Sequence, residues 1–144
     1  MSRTLVVSLI TTLAVSPLAA QKPETPPIVI AGLQAYRAFG RDSAIATWLR
    51  GSPVEGQIGN QVNRGLQDVE TAYGSATGGE ILANVAIGTR VVRSYVVVLF
   101  TKGPMYAWFD CYRRDNSWII VGFLFNTRPQ EILPPSMLAP PAHS

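Results

Sequence analysis

Apolar positions are most regular between Arg90 and Asn126. This stretch holds three runs of β-branched and aromatic residues separated by two short polar connections, in the order RVVRSYVVVLF, TKGP, MYAWFDCYR, RDNS and WIIVGFLFN. Runs of this composition are typical of strands, and connections this short join antiparallel neighbours. The pattern therefore predicts an antiparallel meander with turns at Gly103-Pro104 and Asp115-Asn116.

The two turns also predict a register. With two-residue loops, the first hairpin places Leu99 opposite Trp108 and Val97 opposite Asp110. The second hairpin places Trp108 opposite Phe123. Side chains alternate along a strand, so two faces follow, although a bulge would exchange them part-way. One face carries Tyr95, Val97, Leu99, Tyr106, Trp108, Asp110, Tyr112, Ile119, Val121, Phe123 and Phe125; the other carries Val96, Val98, Phe100, Met105, Ala107, Phe109, Cys111, Trp118, Ile120 and Leu124.

Both predicted faces are apolar, and this has a consequence for the layers of the fold. A solvated antiparallel sheet would alternate apolar with polar residues, so we expect both faces to be covered. Helices can cover one face. The other face needs a partner subunit or a strong curl of the sheet, and a homodimer through a sheet face is the economical solution.

A helix is predicted by residues that recur every three or four positions and stop at Gly74. They are Ile58, Val62, Leu66, Val69 and Tyr73. Gly59 and Gly65 lie within this helix, where each costs about 1 kcal/mol relative to alanine. They indicate close packing against a neighbour or a later helix start. After it, Glu80 to Ile87 is predicted to form a first strand before the meander.

Two further helices are predicted nearer the amino terminus. The first begins at Pro26-Pro27 with Thr25 as its N-cap and ends at Gly40, because proline suits the first helical turn. Its predicted apolar face consists of Ile30, Leu33, Tyr36 and Phe39. The second is a short helix after Asp42 that ends at Gly51 and carries Ile45, Trp48 and Leu49.

The two ends of the chain have a different composition. Residues 1–20 combine Arg3, the apolar stretch Leu5 to Leu18 and the small residues Ala19-Ala20, which is the layout of a secretory signal peptide. A membrane anchor is the alternative, but the stretch is short for a bilayer span. We predict a linker at 21–27, one domain at 28–133 and a proline-rich mobile tail at 134–144. The protein is then secreted or periplasmic in a bacterium, with no membrane segment after cleavage.

Composition excludes several classes of site. The chain has one cysteine, Cys111, and one histidine, His143, which is next to last. An internal disulfide is impossible, and hydrolase triads or histidine-bearing metal sites are disfavoured. We expect Cys111 to be a buried apolar residue. The formal net charge is only +3, which does not favour nucleic acid as a partner. We expect no cofactor and no metal.

Helices followed by a curved antiparallel sheet of about four strands predict an α+β fold, and the order resembles the cone-shaped nuclear transport factor two-like superfamily, also called cystatin-like or ketosteroid-isomerase-like. The resemblance to small secreted bacterial proteins of that fold covers about Ile58 to Pro134. It rests on Tyr73-Gly74, Gly79-Glu80, Gly88-Thr89-Arg90, Tyr95, Lys102-Gly103-Pro104, Trp108, Tyr112, Trp118 and Phe123 to Asn126. It implies a fold, and it does not imply a chemistry, because the superfamily includes enzymes and noncatalytic pocket domains.

Asp110 is the candidate catalytic residue, because it is a carboxylate in an otherwise apolar strand. It is either a general base beside tyrosine donors, a structural carboxylate paired with tyrosine or arginine, or a carboxylate exposed at a sheet edge. A predicted ligand-binding stripe consists of Tyr95, Tyr106, Trp108 and Tyr112, which alternatively pack in a core or interface. Arg90 and Arg93 either bind an anion, are solvated, or pair with Glu80 or Asp68.

These observations favour an exported noncatalytic module that binds a small apolar ligand or a partner protein. One alternative is an isomerase- or lyase-like enzyme that uses Asp110 with tyrosine donors. Another is a structural or assembly subunit. An enclosed cavity with Asp110 at its base would favour the enzyme, whereas an interior filled by side chains would favour assembly.

Overall fold

The computed structural model describes residues 22–139. The predicted signal peptide, His143 and the last residues of the predicted tail lie outside the described residues. The elements are α1 (Pro27–Phe39), α2 (Arg41–Trp48), α3 (Glu55–Tyr73), β1 (Ala76–Ile87), β2 (Val91–Phe100), β3 (Gly103–Arg114), β4 (Ser117–Asn126), a 3-10 turn (Pro129–Glu131) and α4 (Pro135–Leu138). The sheet has the order β1-β2-β3-β4, and each strand is antiparallel to its neighbour. The predicted α+β fold, with helices before an antiparallel sheet, is confirmed.

Helix α1 begins at Pro27 as predicted, but its buried face differs from the prediction. Leu33 and Tyr36 are buried, whereas Ile30 is 40% exposed and Phe39 is 80% exposed. Thr25 makes no N-cap hydrogen bond to the helix. Its hydroxyl instead accepts a hydrogen bond of 2.7 Å from the amide of Asn84.

The reason for the rotated face is the packing of α2 on α1. Gly32 lies directly under the ring of Trp48, and a Cβ at this position would come within 1.9 Å of the Trp48 Nε1 atom. The side of α1 that carries Val29 and Gly32 therefore faces inward. Trp48 also donates a hydrogen bond of 3.3 Å from Nε1 to the carbonyl of Val29, which a helical periodicity cannot foresee.

Helix α3 agrees with its predicted apolar stripe. Val62 and Leu66 are buried, and the remaining stripe residues pack against the same core. Close packing at Gly65 is confirmed, because a Cβ there would lie 2.6 Å from the ring of Phe125. Gly59 has only ordinary clearance, 3.8 Å from Leu49. Gly74 ends the helix with a φ of 85°, in the left-handed region that favours glycine.

The predicted register of the first hairpin is wrong. Leu99 lies opposite Pro104, and the turn is Thr101-Lys102. The cause lies outside the hairpin: the backbone N–H groups of Thr101 and Lys102 donate to carbonyls at the end of α3 and just after it. The shift from Trp108 to Pro104 is an even number of residues, so the predicted faces of β2 and β3 are retained.

The second hairpin turns at Asp115-Asn116 as predicted, and Asp115 has a φ of 53°. Its register is interrupted by a bulge, since Asp110 lies opposite Gly122 and Cys111 lies opposite Ile120. Val121 is the extra residue. Beyond it the two faces of β4 exchange, so that Phe123 and Phe125, predicted to share a face with Trp108, instead pack with the helices.

The side of the sheet that faces the helices is filled by the main core. Phe109 lies between Trp48 and Phe123, with ring centroids 5.0 and 4.5 Å away. The other sheet residues of this core are Val96, Val98, Phe100, Met105, Ala107, Cys111 and Ile120, all at most 5% exposed. The helices therefore supply the first of the two predicted covering layers.

The opposite side, called here the outer face, is partly covered by the chain's own C-terminal segment (residues 127–139). Ile132 and Leu133 are buried against Tyr95, and Met137 packs at the edge of this cluster. Residues 134–139, predicted to begin the mobile tail, include the short helix α4. Part of the second layer therefore comes from within the chain.

Candidate functional site

Asp110 lies on the outer face, not between the helices and the sheet. Its carboxylate accepts two hydrogen bonds from Arg93, 2.7 Å from Nε and 2.8 Å from Nη2. The two residues are directly opposite each other on β3 and β2. The guanidinium also lies 4.1 Å from the ring centroid of Trp108, within the range of a cation–π interaction.

The Asp110 carboxylate is therefore paired with an arginine. The hydrogen bond to Asp110 is the main reason that the pKa of Arg93 is raised above its ordinary value. The prediction that Arg93 pairs with Glu80 or Asp68 is wrong, because its partner is Asp110. Gly122 on β4 adds room beside the pair, since a Cβ there would lie 3.4 Å from the Asp110 Oδ2 atom. Both oxygens of this carboxylate accept from Arg93, and a charge-assisted pair of this kind stabilises the ionised form and so makes it a weaker base.

The space between the helices and the sheet offers little polar chemistry. Cys111 is fully buried there, and burial, followed by the nearby charge of Asp110, raises the pKa of its thiol to about 12. Ser94 is buried and donates to Asn84 at 2.7 Å. Among residues 22–139, every buried side-chain nitrogen or oxygen has a hydrogen-bond partner. This interior therefore presents no unsatisfied group to a substrate.

The predicted aromatic stripe lies on the outer face, where its members have different surroundings. Tyr95 is buried beneath Ile132 and Leu133, and Tyr106 and Trp108 pack against the same cluster. Tyr112 is half-buried and lies opposite Val91. This is the end of the sheet that carries the β1–β2 and β3–β4 turns, away from the β2–β3 turn. Most of the stripe is thus occupied by the C-terminal segment.

One end of the outer face, called here the open patch, is not covered by any of the residues that the structure describes. One row of neighbours crosses all the strands and consists of Ile87, Val91, Tyr112 and Ile119. Val85 belongs to the next row, beside Arg93. Ile87 is 49% exposed and Val85 is 46% exposed, whereas the other members of the row are half-buried.

Arginines border the open patch at the turns. Arg90 and Arg113 line a cleft of about 330 Å³ together with Thr89 and Asp115. The strands meet here because the backbone N–H of Arg113 donates to the carbonyl of Arg90 at 2.8 Å. Arg90 is exposed, so its side chain is available to a partner or an anion.

A polar cluster on the helices was missed by the sequence interpretation. Tyr36 donates to Glu70 at 2.7 Å, Arg41 forms an ion pair with Glu70, and Arg41 Nε donates to Asn63 at 2.6 Å. Burial, followed by the hydrogen bond to Glu70, raises the pKa of the Tyr36 hydroxyl. Tyr36 was predicted only as an apolar face residue, and no spacing signal links it to α3.

This cluster borders an open cleft of about 480 Å³ that also includes the exposed Phe39. Its charged groups satisfy one another across α1, α2 and α3. The hydrogen bonds tie the three helices together, so the cluster has a sufficient structural explanation.

No metal centre and no membrane span are found in the part of the chain that the structure describes. Within 22–139, no three His, Cys, Asp or Glu side chains are grouped closely enough to hold a metal ion. None of the helices there has the length and apolar character to cross a membrane.

Comparison with known proteins does not assign the chain to a family. No family model matches the chain, and no curated protein or solved structure matches it. The resemblance to the nuclear transport factor two-like superfamily therefore stays a prediction, and function must be argued from the geometry.

Proposed function

We propose that this chain is an exported, noncatalytic module that binds a partner protein, and that one such partner is a second copy held through the open patch. The observation that carries this proposal is the contrast between a filled interior and an exposed aliphatic surface at Val85 and Ile87. A solvated sheet face would carry polar side chains at these positions.

The chemistry of the patch suits a second copy. Its central row is apolar on every strand, so two copies related by a two-fold axis would bring like surfaces together. Of the charges beside it, Asp110 and Arg93 are paired with each other, whereas Arg90 and Arg113 are exposed at its border. An interface can cover a satisfied ion pair without leaving an unpartnered charge, which would otherwise be costly.

Two other functions have less support. A lyase or isomerase would use Asp110 as its base, and the ion pair with Arg93 stabilises the ionised carboxylate and so weakens it as a base. A small apolar ligand on the aromatic stripe would have to displace Ile132 and Leu133 from Tyr95. Partner binding requires neither a base nor this displacement.

Native mass spectrometry of the exported protein tests the proposal, because it reports both oligomeric state and any retained ligand. We expect a dimer for the unaltered chain and a monomer for Ile87→Lys, since a charge in the patch would be desolvated in the dimer. Ile30→Lys is the matched control, because Ile30 is an aliphatic residue on α1 that is 40% exposed. A monomeric unaltered chain, or equal loss of dimer in both variants, would overturn the proposal.

A further inference from the structure

The two halves of β4 differ at the free edge of the sheet. Within residues 22–139, β4 pairs only with β3, and no other described strand lies along its second edge. In the first half, the Ser52 hydroxyl donates to the carbonyl of Ile120 at 2.6 Å, and Gly51 lies close to Ile119. The second half runs from Gly122 to Phe125. Among residues 22–139, its backbone forms hydrogen bonds only in the ladder with β3.

This second half lacks the usual protection of an edge strand. Natural edges are commonly blocked by charged residues, proline or bulges, since free backbone groups attract another strand. β4 has no charged residue and no proline between Ser117 and Asn126, and its bulge at Val121 precedes the free stretch. The other edge strand, β1, carries Glu80 and two register shifts.

An apolar groove lies beside the same stretch, between α3 and β4. It has a volume of about 270 Å³ and is lined by Ile58, Gln61, Val62, Gly65, Phe123, Leu124 and Phe125. Gly65 brings α3 close to Phe125, because any larger residue would overlap the ring. Leu124, on the opposite face of the strand, is 47% exposed.

We propose that Gly122 to Asn126 is a strand-addition site for an extended segment of a partner protein, with uncharged, β-branched or apolar side chains. Alternate residues of an edge strand direct both N–H and C=O away from the existing ladder, so an added extended backbone can pair with both groups at once. Side chains on one side of the added segment would enter the groove, and those on the other would lie beside Leu124. The absence of charge on β4 matches an uncharged segment.

The length of the site decides between a segment and a second folded copy. From Gly122 to Asn126 the edge spans about 17 Å, at roughly 3.4 Å per residue. At one end the site is limited by the bulge at Val121 and by the hydrogen bond from Ser52 to Ile120. On the helix side it is bordered by α3. A flexible segment fits these limits, whereas another globule would have to bring its own covering layer past α3.

A short capped peptide of alternating valine and threonine is the probe, and amide hydrogen exchange of the full exported chain is the readout. Between Gly122 and Asn126, we expect the peptide to slow exchange by at least about tenfold at the alternate amides that point away from β3, because added ladder hydrogen bonds protect them. The same peptide with alternate backbone nitrogens methylated is the control, since it cannot complete the ladder.

Two variants test the groove without touching the core. Gln61 is exposed and lines the groove, whereas Gln67 is exposed on α3 but does not line it. Gln61→Trp should abolish the protection by the peptide, and Gln67→Trp should leave it unchanged. Protection on β1 instead, no protection, or equal effects of the two variants would overturn the strand-addition site.

The proposal rests on the proposed binding role, but the two can fail separately. Protection of Gly122 to Asn126 that rises with protein concentration in the absence of peptide would identify a second copy as the occupant and overturn the assignment to a partner segment. If Ile87→Lys leaves the oligomeric state unchanged while the peptide still protects β4, the open-patch dimer fails and the edge site stands.

Discussion

The two faces of the sheet are both apolar in sequence, yet they have different surroundings in the fold. The helix-facing side is closed by α1, α2 and α3, and Phe109 and Cys111 on β3 are fully buried there. Among the described residues, Ile132 and Leu133 cover the outer face at Tyr95, whereas Ile87 is 49% exposed. Apolar character thus shows that a surface needs a cover, while the extent of the cover shows where binding is possible.

The largest expected effect lies on the closed side. Phe109→Ala should lower the free energy of unfolding by about 3–5 kcal/mol, because it leaves a cavity between Trp48 and Phe123. Leu124→Ala is the control on the other side, and we expect a loss below about 1 kcal/mol there. Urea unfolding measures both. Similar losses would contradict the contrast between the faces.

The next effect concerns the C-terminal cover. Ile132 is 6% exposed and lies in the cluster with Tyr95, so Ile132→Ala should destabilise the fold by about 2–3 kcal/mol. Leu138→Ala, at a residue that is 42% exposed on α4, should have an effect below about 0.5 kcal/mol. A neutral Ile132→Ala variant in thermal unfolding would mean that this segment does not stabilise the outer face.

A smaller effect is expected for the ion pair beside the open patch. Asp110→Asn should cost about 1 kcal/mol, since the pair is partly exposed and solvent screens it. A double-mutant cycle with Arg93→Leu isolates the interaction, and Arg90→Leu, at an exposed arginine, is the control. Zero coupling energy between Asp110 and Arg93 would contradict a structural ion pair.

The smallest expected effect concerns how the free energy of unfolding depends on pH through the thiol of Cys111. Its pKa is raised to about 12, whereas the thiol in an unfolded chain ionises near about 8.5. The unfolded state therefore loses this proton first, so the contribution of Cys111 is full below about pH 8.5 and falls as pH rises toward 12. Urea unfolding should show that Cys111→Ala declines less steeply over this window. Equal slopes would indicate that the thiol is not buried.

Secondary structure was predictable because its signals are local. The stripe on α3 and the turn at Asp115-Asn116 follow from residues near each other in the chain. The register was not predictable, because the Thr101-Lys102 turn is held by carbonyls at the end of α3. The predicted register placed Val97 opposite Asp110 and so concealed the true neighbour, Arg93.

The bulge at Val121 was also beyond a local signal. The run WIIVGFLF is apolar at nearly every position, so it has no alternation from which an extra residue could be detected. The bulge turns Phe123 toward the helices and leaves Leu124 on the outer face. The candidate edge site therefore depends on the bulge at Val121, whose position the sequence did not predict.

The sequence by itself determined the order of helices and strands, the antiparallel meander and the need for a layer on each side of the sheet, because these depend on periodicity and turn chemistry. Only the tertiary structure decided that Asp110 pairs with Arg93, that Ile132 and Leu133 cover Tyr95, and that the second half of β4 has no second strand partner among residues 22–139. These outcomes depend on contacts between residues far apart in the chain, which form only when register and packing are fixed together.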